Sequence, residues 1–150
     1  MSDIPGVVRS IMESQRFAVL ATQGTGVPYT NLVAFSFADT LRYIYFITPS
    51  DSKKFRNMRA NPYVSLFIDN RVNRGSDIVS AVGISATGVA TALDDEMKED
   101  LLGPFLERHP DLEEFAWAPE NVLVSVGVTR YTVVRQFSQV EVIDPQAFTL

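Results

Sequence analysis

Short apolar runs rich in β-branched and aromatic residues recur along the chain, separated by turn residues. Phe17–Thr22 predicts a strand, Gln23-Gly24-Thr25-Gly26 a turn, and residues 27–37 the hairpin partner. Ala38-Asp39-Thr40 leads into a third strand over 41–48, and Tyr63–Ile68 predicts a fourth. Residues 70–77 are polar and predict a loop. Residues 78–93 form a long stretch of small and β-branched residues, read as one strand bent at Gly83 and Gly88. Residues 122–137 are strand-like with a bend at 127–130, and 140–143 predict a last short strand.

Helical patterns appear in three places. Val7, Val8, Ile11 and Met12 give residues 3–16 one apolar helical face, with Asp3 as a cap and Pro5 where an early helical proline is tolerated. A short helix follows Ser52 and stops at Asn61-Pro62. Asp94 opens another, with Met97, Leu101, Leu102, Phe105 and Leu106 as its apolar face, ending at His109-Pro110; residues 111–115 predict one further turn. Six or seven strands arranged as meanders and hairpins, with three helices, imply a mainly β protein: an antiparallel barrel with peripheral helices rather than a doubly wound sheet.

The 150 residues are read as a single domain. Hydrophobic residues at 46% and charged residues at 21% suit an ordinary core. The absence of cysteine excludes disulfides, thiolate metal sites and cysteine nucleophiles, and fits a cytoplasmic protein. No signal peptide or bilayer-spanning stretch is read, and the formal net charge of -5 argues against nucleic acid and anionic membrane as partners. One histidine and no cysteine leave no expected metal site.

The chemistry concentrates in residues 45–66. An apolar strand runs through Phe46 and Ile47 into Thr48, and a polar turn delivers Ser52, Lys53 and Lys54 to a helix start. Backbone N–H groups left unpaired at a helix N-terminus suit an anion. The plain alternative is a solvated turn and a basic helix face, since lysines are mostly exposed. Gly83-Ile84-Ser85-Ala86-Thr87-Gly88 lacks the spacing of a nucleophile elbow. His109 is read as a helix-end cap or solvated loop residue. Asp94-Asp95-Glu96 is explained by the helix dipole, and Asp111 to Glu114 is read as a solvated acidic face.

The order Phe46, Thr48, Ser52-Lys53-Lys54, Asn61-Pro62, Val64-Ser65-Leu66 resembles the cofactor segment of the pyridoxamine 5′-phosphate oxidase-like split barrels. The strand Pro28-Tyr29-Thr30-Asn31-Leu32-Val33-Ala34-Phe35 is similar to the family strand that edges the flavin ring. The resemblance covers Phe17 to Phe137 and is strongest over 27–68. It implies an FMN-binding split barrel and a homodimer with the cofactor at the subunit interface.

The resemblance further implies that Lys53 and Lys54 hold the FMN phosphate with Ser52, that Ile47 and Thr48 line the flavin, and that Asn31, Leu32, Val33 and Ala34 lie along the ring and ribityl chain. Ser85 is implied as a polar contact. Trp117 is read as an aromatic plug, with cover for a partner's flavin as the alternative. Arg130 and Tyr131 are read as strand-surface residues or neighbours of the site.

Two departures stand out. Asn31 falls where the oxidase has an arginine phosphate ligand, which brings in Arg71 as a substitute. The end of the chain lacks the arginine and histidine pattern that handles pyridoxal phosphate, so the vitamin B6 reaction is not implied. The implied activity is that of an FMN-dependent oxidoreductase of unassigned substrate, and no general acid or base is named. Deazaflavin or haem in the same barrel, a flavin module without turnover, and an empty interaction barrel are the alternatives.

Overall fold

The computed structural model describes residues 3–148. In chain order its elements are α1 (Ile4–Ser14), β1 (Phe17–Thr22), β2 (Tyr29–Phe37), β3 (Tyr43–Pro49), α2 (Lys53–Ala60), β4 (Tyr63–Asp69), α3 (Asp77–Ser80), β5 (Val82–Ala92), α4 (Asp95–Arg108), α5 (Glu113–Trp117), β6 (Asn121–Arg135) and β7 (Gln139–Ile143). The strands lie in the order β3-β2-β1-β4-β5-β6-β7, all neighbours antiparallel, and β3 also pairs with β6. That last pairing closes β1 to β6 into a six-stranded antiparallel barrel with the helices at its periphery. β7 extends the sheet from the far half of β6.

Alternation decides which side chains fill the barrel. Leu20, Phe35, Ile44, Phe46, Leu66, Ile84, Ala86, Val124, Val126, Tyr131 and Val133 point inward and are buried, and Val8, Ile11 and Met12 of α1 join the same cluster. Tyr131 is a correction to its reading as a surface or site residue. It is fully buried, and its hydroxyl donates to the Leu41 carbonyl at 2.6 Å. Burial pushes that hydroxyl's pKa well above its usual value. Leu41 itself sits at φ 62, a left-handed conformation in a buried turn, so the tyrosine fixes a strained corner. Arg130 is exposed on the strand surface.

The segment 78–93 departs from the single strand its composition suggests. Asp77 accepts hydrogen bonds from the backbone N–H groups of Val72, Asn73 and Arg74, and residues Asp77–Ser80 form a helical turn before β5 starts. Local side-chain-to-backbone bonds here outcompete β propensity. The expected bend at Gly88 is a register shift: Thr87 faces Arg130 while Gly88 faces Val128, leaving Thr129 as the extra residue. A Cβ at Gly88 would run into the Gly127 carbonyl, so the two strands touch only because glycine is there. β6 ends at Arg135 because Gln136 and Phe137 turn with φ 50 and 58.

The outward face has an unusual composition. Leu32, Val19, Phe67, Ser85, Thr132 and Val142 are directly paired across six successive strands, β2-β1-β4-β5-β6-β7. No member of this row is charged, although Leu32 is 65% and Val142 61% exposed. A solvated sheet face ordinarily carries polar residues outward.

Tyr131→Phe is expected to lower stability by about 1–3 kcal/mol, because it leaves the buried Leu41 carbonyl without its donor. Urea unfolding with an unchanged m value checks this.

Candidate functional site: a cleft between β2, β3 and α2

The turn after β3 is built by backbone bonds and one pair of hydroxyls. The Ser52 N–H reaches the Pro49 carbonyl at 3.1 Å, and the Ser52 Oγ accepts from the Phe55 N–H at 3.2 Å, capping α2. The same Oγ lies 2.7 Å from the Thr48 Oγ1, and either hydroxyl can be the donor. Thr48 is fully buried. The two hydroxyls therefore serve the geometry of the turn, fixing where α2 begins. Phe55 and Met58 bury the inner side of α2 against the barrel, and Asn61 ends it.

Lys53 and Lys54 leave this first turn in different directions. Lys53 is exposed, with its Nζ 4.6 Å above the Tyr29 ring. Lys54 enters a surface cleft of about 250 Å³ with Leu32, Val33 and Ala34 of β2, Ile47 and Pro49 of β3, Phe17, Phe105 and Phe115. It has no hydrogen bond or ion pair among the described residues, and partial burial lowers its pKa. A half-buried cation without a counter-ion in an otherwise apolar cleft offers a place for an anion.

Of the sequence-predicted residues, the cleft thus gathers Leu32, Val33, Ala34, Ile47 and Lys54. Val33 turns its side chain into the barrel core, so its backbone is what the cleft meets. Asn31, next along β2, keeps its Oδ1 buried without a hydrogen-bond partner. Ser85 lies on β5, in the outward row described above, away from this cleft on the same chain. Trp117 ends α5, 50% exposed, two residues beyond Phe115. Arg71 sits in the β4–β5 loop beside Asp69, not with the lysines of its own chain.

Two neighbours that fix the cleft escape the sequence reading. His109 stands at the C-cap of α4, as one of its two readings has it, but it is not solvated. It is buried, its Nε2 is 2.7 Å from the Phe35 carbonyl, and its ring packs on Phe105 at 4.9 Å between centroids. Arg108 Nε donates to the same carbonyl at 3.2 Å, and its Nη2 donates to the carbonyls of Met12 and Gln15. The C-terminus of α4 thereby ties α1 to β2 one residue past Ala34. Their only sequence signal is a basic pair at a helix end, which looks like ordinary dipole compensation.

Lys98, also on α4, is buried and donates from Nζ to the carbonyls of Asn121 at 2.7 Å and Ala118 at 3.1 Å. Burial lowers its pKa. With Asn121 Nδ2 donating to the Phe115 carbonyl at 2.8 Å, it anchors the segment that carries Phe115 and Trp117.

With this geometry in hand, the comparisons can be read. A family profile described as pyridoxamine 5′-phosphate oxidase matches residues 4–135. The chain belongs to that family. No curated protein matches the sequence significantly. Among solved structures, a haem-binding protein from Mycobacterium smegmatis superposes with a TM-score of 0.81 at 16% identity, covering 93% of this chain and 57% of that one. The chain therefore spans little more than half of that relative. An FAD-binding protein from Mesorhizobium loti gives 0.67 at 20% identity, over 89% and 94%. The haem storage protein HutZ from Vibrio cholerae gives 0.72 at 16% identity, over 85% and 91%. At these identities the likeness establishes the shared split-barrel fold. No described helix is long and apolar enough to cross a membrane.

Burial lowers the pKa of His109 from 6.5, with Arg108 and Arg16 adding to the effect and the Phe35 bond opposing it. The unfolded chain therefore binds the proton more readily. Stability is retained above the unfolded value and is lost as pH falls below about 6.5 towards the lower folded value. His109→Gln, which keeps a donor near the Phe35 carbonyl, is expected to flatten this slope between about pH 7 and 5. Urea midpoints across that range check it.

Proposed function

We propose that the cleft holds FMN by its phosphate and ring edge, in a two-fold homodimer, and that the protein is a flavin-dependent oxidoreductase acting on a small molecule. The observation that carries this reading is Lys54: a half-buried cation with no hydrogen-bond or ion-pair partner among the described residues, set at the start of α2 and facing the edge of β2. Lys53 adds a second positive charge one residue away. Together with backbone N–H groups of the first turn they suit a phosphate, whose bonds to charged donors are stronger than neutral ones.

The fit extends to Asn31. Its orphaned buried Oδ1 wants a donor, which a ribityl hydroxyl supplies. Ile47 and the backbone of Leu32–Ala34 offer an apolar wall and a peptide edge for a flat ring. FMN when bound supplies the hydride or electron chemistry, and the protein's part is to position it and restrict access. Ser52 and Thr48 act in this reading by fixing the turn.

The uncharged outward row supports the homodimer. A two-fold contact buries the same patch on both copies. The row places Ser85 on that face, where it can serve the partner's cofactor, and the half-exposed Trp117 lies close to the cleft through Phe115.

Haem is the second reading, favoured by the names of two of the fold neighbours. Iron needs an axial ligand, commonly histidine or cysteine. This chain has no cysteine, and its one histidine is buried with Nε2 on the Phe35 carbonyl. Absorption spectra after separate loading with FMN, a deazaflavin and haemin distinguish the three. A specific Soret shift with haemin, and none of the flavin fine structure with FMN, would overturn the proposal.

Lys54→Ala is expected to weaken FMN binding by about 1.5–3 kcal/mol, the scale of a hydrogen bond to a charged group, and Lys53→Ala by the same or less. Riboflavin, which lacks the phosphate, is expected to bind both variants as it binds the wild type. Parallel fluorescence titrations decide this; unchanged FMN affinity in both variants would place the phosphate elsewhere.

Val19→Lys puts a charge into the outward row, between Leu32 and Phe67, without touching the core. It is expected to convert a dimer into a monomer and to weaken FMN with it. Sedimentation of the wild type as a flavin-loaded monomer at micromolar concentration would contradict the dimer.

A further inference from the structure

A hollow of about 200 Å³ lies beneath α2. Its roof is Phe55, Met58 and Arg59 of that helix, and its floor is Ala90 and Ala92 of β5 with Val124 of β6. Ala92 is paired with Val124, and Val124 belongs to the inward set, so the floor is the interior side of the sheet. The hollow therefore opens at the end of the barrel under the helix, not on the outward row. It shares no lining residue with the cleft at Lys54. The two nevertheless meet at one helix: Lys54 lines the cleft, and Phe55, the next residue, lines the hollow.

Arg59 is the only charged or polar side chain that lines this space. It is exposed at the rim and makes no hydrogen bond or ion pair among the described residues. Its Cζ lies 5.9 Å from the centroid of the Phe55 ring. A cation in the last turn of a helix is what the dipole favours. The dipole alone does not draw that cation over the aromatic wall of a hollow. There the guanidinium can meet an anionic head whose tail lies below it, on Phe55, Met58 and the two alanines.

We propose that this hollow binds a short aliphatic carboxylate, its tail between α2 and the alanine floor and its head on Arg59, and that its occupancy tightens the cleft. The volume takes a chain of roughly six to eight carbons at ordinary packing density. A guanidinium pairs with a carboxylate through two parallel hydrogen bonds. A phosphate ester or nucleotide fits poorly, because no second cation or polar side chain lines the hollow. The coupling runs through α2. A ligand packed on Phe55 and Met58 holds the helix whose first turn carries Lys53 and Lys54, and a phosphate meeting a helix already held costs less freedom. This coupling rests on the reading of Lys54 as a holder of the FMN phosphate.

The test titrates the full chain, without cofactor, with octanoate and its uncharged analogue octanamide by calorimetry. The wild type is expected to bind the acid about tenfold more tightly than the amide, the scale of a hydrogen bond to a charged group. Arg59→Gln should abolish that preference and leave the amide affinity as it was. Ala92→Leu fills the hollow from an exposed position; it should abolish binding of both ligands while thermal unfolding stays that of the wild type. Saturating octanoate is expected to tighten FMN about fivefold in the wild type and not in Ala92→Leu, and FMN to tighten octanoate by the same factor. Equal affinity of the wild type for acid and amide, no binding of either, binding undiminished in Ala92→Leu, or FMN affinity indifferent to octanoate would each overturn the proposal. Failure of FMN to bind with or without octanoate overturns the reading of the cleft instead, and the titrations without cofactor still decide the hollow.

Discussion

Everything in this molecule follows from the pairing of β3 with β6. Without it the seven strands form an open sheet with β3 as a bare edge. With it, every strand from β1 to β6 has at least two neighbours, and each side chain is committed to the lumen or to the outside. The inward set fills a core with Phe35, Phe46 and Tyr131 at its centre. The outward set is then covered by helices on one side, where α4 and α5 pack Leu102, Phe105 and Ala116 over Ile47 and Leu123. On the other side it is left as an uncharged row. The cleft at Lys54 lies where covered and uncovered faces meet, bounded by Phe105 of α4 and by Leu32 of the row.

That position explains why so much of the support for the cleft comes from α4. Arg108 and His109 converge on one carbonyl of β2, and Lys98 holds the segment that leads into β6. Lys98 and Arg108 of α4 and its C-cap His109 act as backbone anchors, the first and last of them buried and Arg108 half-buried. Each donates to backbone carbonyls of neighbouring elements, which need partners when buried. The strand edge beside the cleft is thereby held by side chains that never enter it.

The strands and the helices with strong periodicity were legible from the sequence, down to the hairpin of β1 and β2, the helix start after Ser52 and the stop at Asn61-Pro62. The family segment was legible too, because its residues are contiguous. What the sequence hid are long-range polar contacts. Nothing near Tyr131 announces that its hydroxyl will meet Leu41, and nothing near His109 points to Phe35. The α3 turn was misread because Ile78 and Val79 have strand propensity, while the deciding bonds come from Asp77 to the loop before it. For the cleft, residue order identified Lys54 and the β2 stretch, but spacing alone could not tell that Ser52 and Thr48 would spend their hydroxyls on each other.

The seam between β3 and β6 also bears on how the chain folds. The β1–β2 and β2–β3 pairings join neighbours in sequence and need only short loops. The seam brings Phe46 against Val124, with α2, β4, β5 and all of α4 and α5 lying between them. Closing a loop of that length loses far more chain entropy than closing a hairpin, and contacts so distant in sequence slow folding. The meander of early strands can therefore form while β3 still has a bare edge. Until the seam closes, that edge exposes Ile44, Phe46 and Thr48 to any other extended chain. The protein's period of greatest risk of misassembly is thus set by the same contact that, once made, leaves the barrel without an edge at β3.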